Sequence, residues 1–125
     1  MFSTVDDPRM RTVDALVIRN GEPVVVALDA ALGVHPELDR HVRRARYVPT
    51  ARNLNTLARE LSGLPWRLAE NERRSTLEPL DPEKEGAQPL TAYGDVLRIQ
   101  VRAMRMQRPA FSVSLVTLYA HEVDL

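Results

Sequence analysis

Six arginines cluster in the stretch from His35 to Arg59, where the only acidic residues are Glu37 and Asp39. They are Arg40, Arg43, Arg44, Arg46, Arg52 and Arg59. A guanidinium group stays positively charged and donates parallel hydrogen bonds to a phosphate or to the edge of guanine. The whole chain is neutral, with 17 basic and 17 acidic residues, so this positive charge is a local feature. The stretch is therefore a candidate surface for contact with phosphates and bases.

The other polar residues indicate no catalytic or metal chemistry. The chain has no cysteine, and His35 and His41 have no third histidine near them, so we expect neither a disulfide nor a metal site. Glu70 and Glu72 lie in a polar stretch without the apolar surroundings that acid–base catalysis needs. Because no nucleophile or phosphate-loop motif is present either, we predict a protein that is not an enzyme and has no cofactor.

The sequence has no feature of a membrane or exported protein. No apolar run approaches the ~18–20 residues that a membrane span needs. The N-terminal residues MFSTVDDPRMR are acidic where a signal peptide is basic and then apolar. We therefore expect a cytoplasmic protein with no membrane partner.

Helical spacing of apolar residues runs through the first half of the chain and predicts elements that would carry the arginines. The clearest pattern follows Thr50, a good N-cap, where Leu54, Leu57, Ala58 and Leu61 repeat at i, i+3, i+4 and i+7. The same spacing predicts five helices in all: residues 9–19, 23–32, 36–46 and 51–62, and a short one containing Leu64, Trp66 and Leu68.

One segment has a second interpretation. The dipeptide Asn20-Gly21 separates VDALVIR from EPVVVALD, and Asn-Gly between apolar runs is a strong β-hairpin signal. The valines also favour strands. Residues 13–29 therefore form either two helices or a hairpin.

The second half of the chain has a different pattern. Residues 75–92 are rich in proline and acidic residues and predict a polar linker. Beyond it, Leu97, Ile99 and Val101 alternate with polar residues, and alternation returns from Phe111 to Tyr119. This predicts two strands joined by a turn at residues 107–109, although the first strand also fits a helical face. The predicted domains are residues 9–74, a linker at 75–92, and a strand-forming element at 93–125.

Five short helices, with a glycine turn after the second and a basic third helix, resemble the Cro and phage-repressor (XRE-like) helix-turn-helix family. The stretch ALDAALGVHPELDRHVRRARYVPTARNLNTLARELSGLPWRL carries the resemblance, and DDPRMRTVDAL before it is similar to alphaproteobacterial phage-type repressors. The resemblance implies a mainly α fold, with a five-helix helix-turn-helix domain and a small C-terminal β part. With the hairpin alternative, the chain would resemble phage regulators of the Rha and KilA-N kind.

The resemblance also implies roles for individual residues. The recognition helix would span Pro36 to Arg46, and Gly33 would permit the sharp turn before it. The side chains expected to face base edges in the major groove are Glu37, Arg40, His41 and Arg44. Those expected to hold phosphates are Arg43, Arg46, Thr50 and Arg52.

Two functions are compatible with these patterns. The first is a sequence-specific transcription regulator, a phage or prophage repressor type, that binds double-stranded operator DNA as a homodimer, with the C-terminal strands pairing two subunits. The alternative is a protein-binding adaptor or inhibitor that keeps a helix-turn-helix-like fold and extends a partner's sheet with its C-terminal strands.

Overall fold

The computed structural model describes residues 2–107 and 112–125 and has a mixed β-sheet with three helices on one face. The seven strands are β1 (Phe2–Val5), β2 (Thr12–Arg19), β3 (Glu22–Val26), β4 (Trp66–Glu70), β5 (Ser75–Pro79), β6 (Val96–Gln107) and β7 (Ser112–Asp124). The helices are α1 (Leu28–Val34), α2 (Asp39–Tyr47) and α3 (Ala51–Ser62). Short 3-10 turns lie at Pro8–Met10, Pro36–Leu38 and Leu90–Ala92.

The long strand β6 organises the sheet. Along one side it pairs with β7 over its whole length, from Val96 opposite Asp124 to Gln107 opposite Ser112. Its other side pairs with β2 and then, beyond residue 103, with β1, so that β1 and β2 lie end to end. The order across the sheet is β7-β6-β2-β3-β5-β4, antiparallel except between β3 and β5. The edge strands are β7 and β4, and the short β1 also pairs with β6 on one side only in the described chain.

The predicted first helix, residues 9–19, is wrong. These residues form a 3-10 turn and β2, and β2 pairs with β3 from Ala15 opposite Val26 to Arg19 opposite Glu22. Asn20 and Gly21 connect them with positive φ angles of 51° and 79°, which a tight type I′ turn requires. The hairpin alternative is therefore the conformation in the structure, because the alternating valines bury one face of a strand.

Two other helical predictions also change. The predicted helix at 23–32 becomes β3 followed by α1, with Gly33 inside α1 and not in a turn after it. The predicted fifth helix is β4, where the buried Trp66 donates its indole N–H to the carbonyl of Leu61 at 2.9 Å. The mainly α, five-helix fold is thus wrong, and the chain has an α+β fold. Because β2, β3 and β4 bury alternate residues against distant strands, helical spacing alone did not identify them.

The predicted linker and C-terminal strands belong to the same sheet. Residues 75–79 form β5, whose Leu77 is fully buried between β3 and β4. The two predicted C-terminal strands are present as β6 and β7, and β6 pairs with β2. The predicted turn at residues 107–109 and the start of the second strand at Phe111 fall partly or wholly outside the described residues. Strands from the predicted DNA-binding domain and from the predicted C-terminal element therefore share one sheet.

The helices α2 and α3 form where the sequence predicts them. The Thr50 hydroxyl accepts the backbone N–H of Asn53 at 3.2 Å and caps α3, whose four predicted apolar residues are all buried. The helices pack on one sheet face around a common core that includes Ala15, Val17, Val26, Leu38, Val42, Leu57, Leu61, Trp66, Leu77, Leu97, Ile99 and Val101. No helix packs on the opposite face in the described structure; it is called the open face below.

Candidate functional site

Four exposed arginines lie on the adjacent helices α2 and α3, and together they are called here the arginine face: Arg40, Arg44, Arg52 and Arg59. The two helices contact each other and are joined by only three residues, Val48 to Thr50. Within the described residues, none of the four guanidinium groups forms an ion pair with a carboxylate. Their charge is therefore available to an external anion.

Burial of the opposite helix faces explains this arrangement. In α2, Val42 and Ala45 pack into the core, which turns residues 40, 43 and 44 toward solvent. In α3, the buried set at residues 54, 57, 58 and 61 turns Arg52, Asn55 and Arg59 outward. The same apolar spacing that folds each helix thus places its arginines on the surface.

The α3 part of the arginine face borders the edge strand β7. Arg52, Asn55 and Arg59 line a shallow groove of about 580 Å³ together with Val123 of β7. The Asn55 side-chain oxygen lies 2.7 Å from Nε2 of His121, which joins the helix to the strand. Arg52 and Arg59 are two helical turns apart, about 10 Å along the axis. The groove thus carries two separated positive charges with a polar amide between them.

Three other predicted site residues lie at α2 but are already paired. Arg43 is exposed and donates to the Asp39 carboxylate at 2.5 Å. Glu37, in the 3-10 turn before α2, has a carboxylate oxygen 3.6 Å from Nδ1 of His35. His41 is half-buried, and its Nε2 lies 3.4 Å from Nε of Arg40. These residues border the arginine face without adding free positive charge to it.

Arg46 and Thr50, which the sequence also predicts to contact DNA, have different surroundings from the four arginines of the arginine face. Arg46 is half-buried, its Nε is buried without a hydrogen-bond partner among the described residues, and its carbonyl accepts from Arg11 at 2.9 Å. The Thr50 hydroxyl is occupied as the N-cap of α3. The sequence predicts that both side chains hold phosphates; in the structure the Arg46 side chain is half-buried and the Thr50 hydroxyl caps α3.

The sequence interpretation did not assign Arg59 or Asn55 to the site. Asn55 follows Arg52 at i+3 and Arg59 follows it at i+7, on a helix whose buried stripe was correctly predicted. The signal was therefore present in the helical spacing, which places the three side chains on one face. Resemblance to a recognition helix directed attention to α2 instead.

The open face of the sheet differs from the arginine face because its arginines are neutralised. Arg102 lies 2.7 Å from the Asp14 carboxylate of β2, and Arg98 lies 2.6 Å from the Glu122 carboxylate of β7. Both pairs join neighbouring strands: Arg98 is directly opposite Glu122, and Arg102 reaches Asp14 diagonally, two residues along β2 from its direct partner Thr12. They account for the charge of the open face without a ligand.

The carboxylates whose pKa values are shifted, Asp6 and Asp7, are not part of the arginine face. A hydrogen bond from Arg11 lowers the pKa of Asp6, and hydrogen bonds from Arg9 lower the pKa of Asp7. All four residues precede β2 and are paired with each other. In the part of the chain that the structure describes, no three histidine, aspartate or glutamate side chains converge to hold a metal ion.

Comparison with protein-family models, with curated proteins and with solved structures finds no match for this chain. Within residues 2–107 and 112–125, none of the helices has the length and apolar character that crossing a membrane requires.

Proposed function

We propose that the chain binds double-stranded DNA through the arginine face of α2 and α3. The supporting observation is the set of four exposed guanidinium groups on adjacent helices, none paired with a carboxylate within the described residues, in a chain with no net charge. DNA phosphates release condensed counterions when such groups neutralise them, which favours binding. A polyanion is therefore the ligand that best matches the charge of the arginine face.

The two helices would have different roles on DNA. Arg52 and Arg59 flank the groove beside β7 and are suited to phosphates, which fix position without reading sequence. Arg40 and Arg44 project from α2 and can pair with the O6 and N7 atoms of guanine in the major groove. On this proposal the protein is a transcription regulator of the repressor type, with α2 as the base-reading element.

A salt titration tests the phosphate contacts. We expect the double variant Arg52→Gln/Arg59→Gln to reduce the slope of log affinity against log salt by about two, because two phosphate contacts are lost. The matched control is Arg73→Gln/Arg74→Gln in the turn between β4 and β5, which removes the same charge from exposed positions. If both double variants lower the affinity and slope equally, the arginine face is not the binding surface.

Selection of bound duplexes from random DNA tests the base contacts. We expect Arg40→Gln or Arg44→Gln to cost about 1–3 kcal/mol of discrimination at a guanine of the selected site. Binding to an unrelated duplex would change much less. Failure of the unaltered protein to enrich any sequence would contradict the sequence-specific role while leaving phosphate binding to the salt titration.

A second candidate function is protein binding by strand addition. The observation that favours it is β7, a 13-residue edge strand whose outer side pairs with no strand of the described chain. Salt separates the two candidates, because DNA affinity falls steeply with ionic strength and backbone pairing does not.

A further inference from the structure

The outer side of β7 has few of the features that keep sheet edges from pairing. Natural edge strands are commonly short, covered, or marked by lysine and proline. From Ser112 to Asp124, β7 has no lysine, arginine or proline, and its acidic residues, Glu122 and Asp124, lie at its C-terminal end. Its one protective irregularity is a bulge, where Val101 is opposite Tyr119 but Arg102 is opposite Thr117, so that Leu118 is the extra residue.

The other edge of the sheet is protected. Strand β4 has only five residues, and at its start the backbone of Trp66 exchanges two hydrogen bonds with Gln88, at 2.7 and 2.9 Å. The exposed Arg67 and Glu70 mark the rest of β4 with charge. The contrast indicates that β7 is better suited to pairing than β4.

The segment of β7 before the bulge is apolar and exposed. Val113 and Leu115 are 57% and 41% exposed, and no charged residue lies between Ser112 and Thr117. Leu115 is opposite Met104 on the open face, since the neighbouring Ala103 is buried on the helical face. Contact with another apolar strand would remove these side chains from water.

We propose that residues 113–117 of β7 pair antiparallel with the same residues of a second copy of this chain, with the two-fold axis at Leu115. Strands of one sheet that run antiparallel are related by an axis perpendicular to it, so open-face residues meet open-face residues. Val113 is then opposite the partner's Thr117, and Leu115 is opposite the partner's Leu115. The result is an apolar row of Met104 and Leu115 from each copy.

Charge and chain geometry both favour a second copy in this orientation. A segment opposed to itself antiparallel forms a closed, symmetric pair that leaves no surface for further addition. Glu122 and Asp124 lie beyond the bulge, outside the paired segment, so no like charges are opposed across the junction. Parallel pairing of the two strands would instead place the acids of the two copies side by side.

Cysteine crosslinking tests the proposed axis, since the chain has no native cysteine. Directly opposed Cα atoms in an antiparallel pair are about 4.5–5.5 Å apart, within the reach of a disulfide. We expect Leu115→Cys to form a disulfide-linked dimer under mild oxidation about tenfold faster than Thr117→Cys. Thr117 lies on the same face of the same strand but is about 13 Å from its symmetry mate. Val34→Cys, half-exposed on α1, measures random collision.

Mixing two different cysteine variants tests the same axis independently. Val113→Cys and Thr117→Cys proteins should crosslink as a heterodimer when mixed, because these residues are opposed, whereas each crosslinks poorly with itself. Sedimentation of the unaltered chain across about a hundredfold range of concentration should show a reversible monomer–dimer equilibrium.

Three results would overturn the proposal: a chain that remains monomeric at every concentration, equal crosslinking at residues 34, 115 and 117, or faster crosslinking through Thr117 than through Leu115. The first would leave the edge to a strand from another protein. The proposal does not rest on DNA binding, and its experiments contain no nucleic acid, so the two fail separately.

Discussion

Arg11 connects two segments that are far apart in the sequence. Its guanidinium donates to both carboxylate oxygens of Asp6, at 2.7 and 3.0 Å, and to the carbonyl of Arg46 at the end of α2, at 2.9 Å. The last bond satisfies a carbonyl in the final turn of α2. One side chain thus fixes the chain before β2 against the helix that carries half of the arginine face.

The contact between Arg11 and Asp6 predicts an acid-sensitive contribution to stability. The Arg11 hydrogen bond lowers the pKa of Asp6 in the folded protein, so its stabilisation is fully present above the ordinary pKa of aspartate. It is lost as the pH falls through the lowered value. We expect the protein to be more stable than Asp6→Asn at neutral pH and the difference to disappear in acid, as measured by urea unfolding. Glu85→Gln, at an exposed carboxylate in a turn and without an ion pair, is the control.

Residue roles were predictable where they depend on neighbours in the sequence. The cap at Thr50 and the exposure of Arg40, Arg44 and Arg52 follow from local helical spacing. The hydrogen bond from Arg11 to the carbonyl of Arg46 joins residues that are distant in the sequence, so no local pattern indicates it. Asn55 likewise acquires its contact from His121 of the last strand.

Among the elements, the helix-turn-helix interpretation placed the critical glycine turn at Gly33, whereas the structure has a glycine turn at Gly21. Gly21 has a φ of 79° in the β2–β3 turn, whereas Gly33 lies inside α1 without a positive φ. A Cβ at either position would meet no atom within 4 Å, so backbone conformation decides the effect of a substitution.

We therefore expect Gly21→Ala to destabilise the protein by about 1 kcal/mol, since alanine disfavours positive φ. Gly33→Ala should stabilise it by about 0.5–1 kcal/mol, since alanine is the better helix former. Thermal or urea unfolding of the two variants measures both signs. Destabilisation by Gly33→Ala would instead indicate a glycine turn between two helices, as the family resemblance implied.

Elements that depend on their own residues could be predicted from the sequence, and elements that depend on distant strands could not. The helices α2 and α3 each have a buried stripe within their own residues, and α3 also has a side-chain cap at Thr50. The residues of β2 were ambiguous, because Val13, Leu16 and Val17 fit a helical face and the alternation of a strand equally well. Strand β5 lies in a polar segment with several prolines and has one fully buried residue, Leu77. Its own residues form no strand pattern, because the strand depends on pairing with β3 and β4.

At the scale of the whole molecule, the net charge is zero, but the two faces of the sheet differ in whether their arginines are paired. The sheet arginines of the open face are paired with carboxylates of neighbouring strands, and those of the arginine face are not. The sheet also unites the N-terminal and C-terminal parts, because β6 lies between β2 and β7. The edge that β7 provides and the helical face therefore belong to one folded unit.

The register of β7 on β6 gives a length that would matter on DNA. His121, which contacts α3, is opposite Ile99, and Leu115 is opposite Met104, so five residues of β6 separate the α3 contact from the proposed axis. Doubled by the symmetry, this separation is about 33 Å. The two α3 contacts would lie on the same side of the joined sheet, about one turn of B-DNA apart. Footprints on a selected duplex should then show two protected segments centred one helical turn apart, and a single segment would contradict this spacing.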